Sequence, residues 1–361
     1  MSTRAVSAIE ARTDRLVGLL EQCGLDSLVV TNLVNVRYLT GFTGTNGACV
    51  VTRDDRVFIT DFRYVERAEA EVRGYERVRG ERDLLADAAA LLRGRAGFDD
   101  VHTSVRTHGK LAESIGEGVE LVAAGGLVED LREVKDEGEV AAMREAAGLA
   151  DGVYQYIVER GLAGRTELAV ARDAEREMRE RGAEDPSFPT IVAAGPNGAL
   201  PHHDPRDVEI PRDTLVVIDM GARVDGYCSD CTRTFATGAL SDEAVGVYEL
   251  VRRAQEEARV AVRAGAGCRE VDAVARDVIE AAGHGERFGH GLGHGVGLEI
   301  HEGPRLAKTA EGELRAGAAV TVEPGVYLPG AFGVRIEDLV VVTDDGCDVL
   351  TGFPKDLVTA G

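Results

Sequence analysis

The sequence predicts two domains, a smaller α/β domain of mixed sheet followed by a larger α+β domain. Three observations predict it. The 361 residues exceed the span of one ordinary domain, roughly 100–200 residues. Up to about residue 130, short β-rich runs alternate with helical patterns. Beyond a charged stretch at 131–138 (LREVKDEG), long helical patterns come first and strand-like runs close the chain. The boundary falls to give domains of residues 1–132 and 133–361.

In the first domain, residues 5–22 place Ile9, Leu16, Leu19 and Leu20 at helical spacing. Residues 27–31, 36–40, 48–51 and 57–60 are β-rich runs bounded by Asn, Gly and Asp, and read as strands. Helical patterns return near 63–72 and 82–93, followed by an apolar run at 119–122. In the second domain, helices are expected near 139–159, 167–181, 242–263 and 270–282. Strands are expected at 190–194, 214–220, 319–323, 333–337 and 339–343.

Composition narrows the function. Against 41 Lys and Arg stand 63 Asp and Glu, a net charge of −22, which argues against nucleic-acid or anionic-membrane partners. Hydrophobic residues make up 44%, too many for a disordered chain. Only Lys110, Lys135, Lys308 and Lys355 are lysines, which fits either a salt-rich cytoplasm or a GC-rich genome. Residues 1–20 are interrupted by Arg4, Glu10, Arg12, Asp14 and Arg15, so no signal core is expected. No apolar run approaches the roughly 20 residues of a membrane helix. Six scattered cysteines do not resemble a disulfide framework, and a reducing, cytoplasmic setting follows.

The chemistry is concentrated after residue 200. In LVVIDMGARVDGYCSDCTRTF (215–235), Asp225-Gly226 is a two-residue hairpin turn that pairs Val224 with Tyr227 and Asp219 with Thr232. Strand alternation then puts Asp219 and Asp230 on one face. Two carboxylates amid apolar strand residues repel each other and lose solvation unless a cation shares them. Cys228 and Cys231 surround Asp230, but a strand sends them to opposite sides, so they read as small strand residues. In HGLGHGVGLEIHE (290–302), glycines disfavour a helix and let His290, His294 and His301 point into a shared space. In VTVEPGVYLPGAFGVRIED (320–338), Glu323 and Glu337 lie on strands flanking the Pro329-Gly330 bend, with Arg335 on the same face as Glu337. The loop GPNGALPHHDP (195–205) presents His202 and His203, the latter read as a solvated loop residue. Four carboxylates with few imidazoles favour Mn, Co or Fe over zinc, and exceed the needs of one divalent ion. Two ions are the natural count.

Asp219, Asp230, His294, Glu323 and Glu337 resemble, in order and flanking sequence, the five metal ligands of the pita-bread metallopeptidases. GHGLGHGVGLEIHE, EPGVY and GVRIEDLV look like the prolidase and aminopeptidase P branch, and NVRYLTGFTGTNG (35–47) is similar to its N-terminal domain. The resemblance implies a C-terminal pita-bread (creatinase/aminopeptidase) domain behind a creatinase-type N-terminal domain, and a substrate class: peptides cleaved before proline. It implies that Asp219 chelates one metal, that Asp230 and Glu337 bridge both, and that His294 and Glu323 complete the other. Manganese is the expected ion, with Co(II), Fe(II) and Zn(II) as alternatives. A hydroxide between the ions attacks the carbonyl, and Glu323 shuttles the proton. His202 is the substrate-loop histidine and His301 stabilises the oxyanion. His290 lines the proline pocket, and Arg335 contacts the substrate's carboxyl end or orients Glu337. A homodimer is implied as well. The competing readings are a silent peptide-binding protein of this fold and a creatinase-like C–N hydrolase.

Overall fold

The structure, a computed structural model, describes residues 3–361 and divides into two compact units between Arg132 and Glu133. The N-terminal unit is built on a six-stranded sheet. Its order is Glu76–Arg79, Arg56–Thr60, Gly47–Thr52, Ser27–Val30, Arg95–Phe98, Glu120–Ala123. Arg56–Thr60, Gly47–Thr52 and Ser27–Val30 run antiparallel to their neighbours among themselves, and the outer strands join in parallel. Gly47–Thr52 and Ser27–Val30 are buried along their whole length, which explains why apolar residues follow one another in their middles without polar alternation.

One expected strand is a helix. Residues 36–40 belong to the helix Leu33–Thr40. The Asn32 side chain accepts the Val34 N–H at 2.8 Å, and Gly41 ends the helix at φ 78° with its N–H on Arg37 O. Two good caps outweigh the few tenths of a kcal/mol by which Val and Thr disfavour a helix. The pattern at 82–93 shortens to Leu85–Ala89, and a helix at Val105–Ser114 went unanticipated because it buries only Leu111. The strand Glu76–Arg79 was missed for a similar reason: it is mostly exposed and has no apolar alternation.

In the C-terminal unit the helices start where capping dictates. Asp136 and Glu139 form a capping box ahead of Glu137–Arg160, Thr166 caps Glu167–Glu180, and Ser241 caps Asp242–Ala261. The first two helices pack Val153, Tyr154, Ile157, Val170 and Met178 onto Val192, Val216 and Ile218. These last belong to an antiparallel sheet ordered Cys231–Ala236, Leu215–Met220, Ile191–Ala194. The helices Asp242–Ala261 and Cys268–Ala281 pack Val247, Val251, Val271 and Ile279 against Val320, Val322, Val334 and Val340. Val320, Val322 and Val340 sit in a sheet ordered Glu302–Leu306, Gly293–Gly295, Ala319–Val322, Asp338–Val342, Cys347–Val349. Gly325–Leu328 and Phe332–Arg335 form a separate hairpin. No helix among the described residues is long and apolar enough to cross a membrane.

The register that matters for function is set by one turn. Asp225 and Gly226 have φ of 48° and 80°, the two positive values a type I′ turn requires. Val224 therefore faces Tyr227, Met220 faces Cys231 and Asp219 faces Thr232. Between them Gly221 meets the opposing strand so closely that a Cβ would stand 1.8 Å from Ser229 O. Gly221→Ala must force the two strands apart. We expect a loss of about 2–3 kcal/mol, measured as a lowered thermal midpoint; an unchanged midpoint would mean that the strands tolerate the methyl group.

Candidate metal centre

Oxygens of Asp219, Asp230 and Glu337 lie within 4.8 Å of one another, and all three residues are buried. Asp219 Oδ2 accepts from Arg335 Nη2 at 2.7 Å, while Oδ1 has no partner. Glu337 Oε2 accepts from Thr232 Oγ1 at 2.8 Å, while Oε1 has none. The backbone beneath is fastened twice. Glu337 N–H donates to Thr232 O at 3.1 Å, and the Arg233 guanidinium donates to Glu337 O and, at 2.6 Å, to Phe353 O.

His294 lies in the strand Gly293–Gly295, whose glycines serve close backbone approach: a Cβ at Gly293 would stand 2.0 Å from Thr321 O. The His294 N–H donates to Thr321 Oγ1 at 3.0 Å. Its Nδ1 lies 3.0 Å from Gly295 O, so a proton there leaves the Nε2 lone pair facing inward. Nε2 is 3.3 Å from Glu323 Oε1 and 3.6 Å from Asp230 Oδ2. Asp219 and His294 lie within strands, whereas Asp230, Glu323 and Glu337 each sit one residue beyond a strand end rather than on the strand, and the five converge on one space.

Electrostatics separates this cluster from an ordinary ion-pair network. Burial raises the Asp219 carboxyl above its ordinary range despite Arg335. Burial, then the charges of neighbouring carboxylates, raise Asp230 and Glu337 much further. The adjacent Asp338 faces the other way, onto Arg233, Lys355 and Gln255. Burial also pushes Asp338 up, but Arg233 and Lys355 outweigh it and hold the group below its ordinary value. Side by side in sequence, one acid has its cations and the other lacks them. For Glu323, burial pushes upward but the His294 hydrogen bond wins, bringing the carboxyl to about 2. The unpartnered oxygens, the inward imidazole and the uncompensated charge fit divalent metal.

The remaining site residues surround this centre. Burial lowers the His290 pKa, and its Nε2 lies 2.9 Å from the Tyr327 hydroxyl. His301 keeps much of its surface exposed, with its ring centroid 4.4 Å from that of His294, and its pKa is lowered by the partial burial of the ring and by His294. His202 is exposed on its loop, near enough for its charge to lower the pKa of His290 and His301. Arg335 does not touch Glu337 directly. It binds Asp219, Tyr327, Pro201 O and Thr232, and only Thr232 links it to Glu337. His203 is not solvated: it is 3% exposed, with Nε2 2.8 Å from Glu167 Oε2. Glu167 also accepts from Ala194 N, Asn197 Nδ2 and Arg206 N, so one buried acid holds both ends of the loop. Thr232, Arg233, Tyr327 and Glu167 escaped sequence reasoning. Thr232 alone was traceable, since the hairpin register sets it opposite Asp219. Cys228 and Cys231 are free thiols in different cores.

Residues 141–344 match metallopeptidase family M24, and residues 12–134 match the creatinase/prolidase N-terminal domain. The chain belongs to metallopeptidase family M24. Within M24 it falls in the prolidase and aminopeptidase P branch, with the creatinase-type N-terminal domain and pita-bread C-terminal domain of that branch. It is 33% identical over 363 residues to an Xaa-Pro dipeptidase of Pyrococcus furiosus, covering 97% of this chain and 100% of the other. Its structure is similar to that of an Xaa-Pro dipeptidase from Bacillus anthracis, with TM-score 0.94 and 39% identity over 97% and 99% of the two chains. An X-Pro aminopeptidase from Thermotoga maritima gives TM-score 0.89 and 34% identity over 96% and 99%. This M24 protein is a metallopeptidase, which sets aside a silent binding protein and a metal-free C–N hydrolase.

A stability consequence follows from the raised carboxyls. Without metal, Asp230 and Glu337 bind protons more tightly in the fold than in the unfolded chain. They therefore oppose folding more strongly as pH rises above the ordinary carboxylate range, and less as it falls. Asp230→Asn removes one such charge. In chelator, the variant is expected to melt above the parent M24 chain by about 2–4 °C per kcal/mol relieved, and to lose any stabilisation that an added divalent ion confers on the parent. A variant that melts lower in chelator would contradict this.

Proposed function

We propose that this M24 peptidase hydrolyses the peptide bond preceding proline with two divalent ions held by Asp219, Asp230, His294, Glu323 and Glu337. The observation that carries the reading is the buried carboxylate cluster in which Asp219 Oδ1 and Glu337 Oε1 lack any partner. The similar proteins named Xaa-Pro dipeptidase and X-Pro aminopeptidase support the substrate class. Bound there, the ions would polarise the scissile carbonyl and bring deprotonation of water close to neutral pH. Mn(II) suits the oxygen-rich donors best, with Co(II), Fe(II) and Zn(II) as alternatives.

The chain's own residues supply orientation and proton transfer. Asp219 would hold one ion, with Arg335 fixing its second oxygen. Asp230 and Glu337 would serve both ions, and His294 and Glu323 the other. Glu323, kept anionic beside His294, takes a proton and returns it to the departing imino nitrogen. His301 presents an N–H to the oxyanion, with its pKa lowered by partial burial and by His294. His290, held by Tyr327, lines the proline side, and His202 meets the substrate from the loop. The bond to proline is a tertiary amide without an N–H, so its cleavage calls for strong carbonyl polarisation and a dedicated ring pocket. The branch resemblance supports a cytoplasmic homodimer.

The test is parallel hydrolysis of Xaa-Pro and Xaa-Pro-Yaa peptides with Mn(II), before and after chelation. Cleavage before proline should vanish with chelator and return with Mn(II), and Glu323→Gln should lower kcat by about 10²–10⁴. Turnover of the dipeptide alone marks a prolidase, and turnover of the longer peptide an aminopeptidase P. Failure on both substrates, or turnover indifferent to chelator, would overturn the proposal.

A further inference from the structure

Among the described residues, three buried carboxylate oxygens have no hydrogen-bond partner: Asp219 Oδ1, Glu337 Oε1 and Asp99 Oδ2. The first two belong to the catalytic centre. The third belongs to the N-terminal unit, and it too sits in a convergent group of ligand-type side chains. One ligand atom from each of Asp99, His102 and Glu129 lies within 4.8 Å of the others. We propose that Asp99, His102 and Glu129 form a separate site for one divalent transition-metal ion of the Zn(II) type.

Each side chain is placed by local structure. Asp99 follows the strand Arg95–Phe98 and is 7% exposed. Its Oδ1 accepts the N–H groups of Val101 and His102 at 3.0 and 3.2 Å, which fixes the carboxylate and leaves Oδ2 to bind. His102 presents a partly exposed ring whose Nε2 is 3.4 Å from Glu129 Oε1. Two ligands on a tetrahedral ion with bonds of about 2.1 Å stand about 3.4 Å apart, so this pair already has the required spacing. Glu129 lies in the helix Leu127–Glu133, and its Oε1 accepts from Asn35 Nδ2 at 2.5 Å. Asn35 is fully buried, and its own oxygen accepts from Arg132 Nη1 at 2.8 Å.

Two of the three ligands are thus held by other groups, which reduces the ordering cost of binding and orients the donors. One imidazole and two carboxylates leave a fourth tetrahedral position for water, a set that Zn(II) accepts. Ca(II), which takes six to eight oxygens, finds too few here. Burial and the Glu129 charge raise the Asp99 carboxyl, a burden that a bound cation relieves.

The experiment measures zinc per chain in the untagged full-length protein after equilibration with Zn(II). His102→Gln is expected to lose one ion per chain relative to the parent, with Mn(II)-dependent peptide hydrolysis unchanged. In a chain carrying Asp219→Asn and Asp230→Asn, calorimetric titration should still find one zinc site, and adding His102→Gln should remove it. Asp99→Asn keeps the acceptor for the two amides and should also lose the ion. If Asp99→Asn fails to fold, the partly exposed His102 position decides alone. Unchanged zinc content in His102→Gln, or no binding by the Asp219→Asn, Asp230→Asn chain, would overturn the site whatever the peptide substrate proves to be.

Discussion

Buried negative charge without a matching protein cation governs the C-terminal unit. Asp219, Asp230, Glu323 and Glu337 crowd one space, and the guanidinium that reaches them, Arg335, bonds only Asp219. Such a cluster is costly unless protonated or shared by a cation. The fold therefore holds it by force of packing. Two helix pairs lock the flanking sheets, and Thr232, Arg233 and Thr321 tie the strands that carry the ligands to one another. Ligands on strands or directly beside their ends are positioned more accurately than ligands on loops, and here a two-residue turn sets the spacing of Asp219 and Asp230.

Arg335 joins the charged centre to its surroundings. It bonds an acid of the cluster, the Thr232 hydroxyl that serves Glu337, the Tyr327 hydroxyl that holds His290, and the carbonyl of Pro201 beside His202. One planar donor fork thereby connects ligand, pocket and loop, a task a lysine could not perform with the same geometry.

How far the sequence was legible depended on how local the causes were. The Asp-Gly turn and strict alternation make the Asp219/Asp230 face readable from residues alone, and dense glycine beside three histidines marks a place where backbones approach. The helix Leu33–Thr40 was misread because its β-branched residues conceal two caps, one of which depends on the Asn32 side chain. The exposed strand Glu76–Arg79 offers no apolar alternation to read. His203 was invisible for a different reason: its partner Glu167 lies 36 positions away, and nothing in either neighbourhood announces the pairing.

That pairing has a consequence for how such enzymes diversify. Glu167 opens a core helix, yet it also anchors the segment presenting His202. The segment is mortised into the scaffold rather than draped over it. Grafting a foreign version between relatives would fail unless the acid at its root travelled with it.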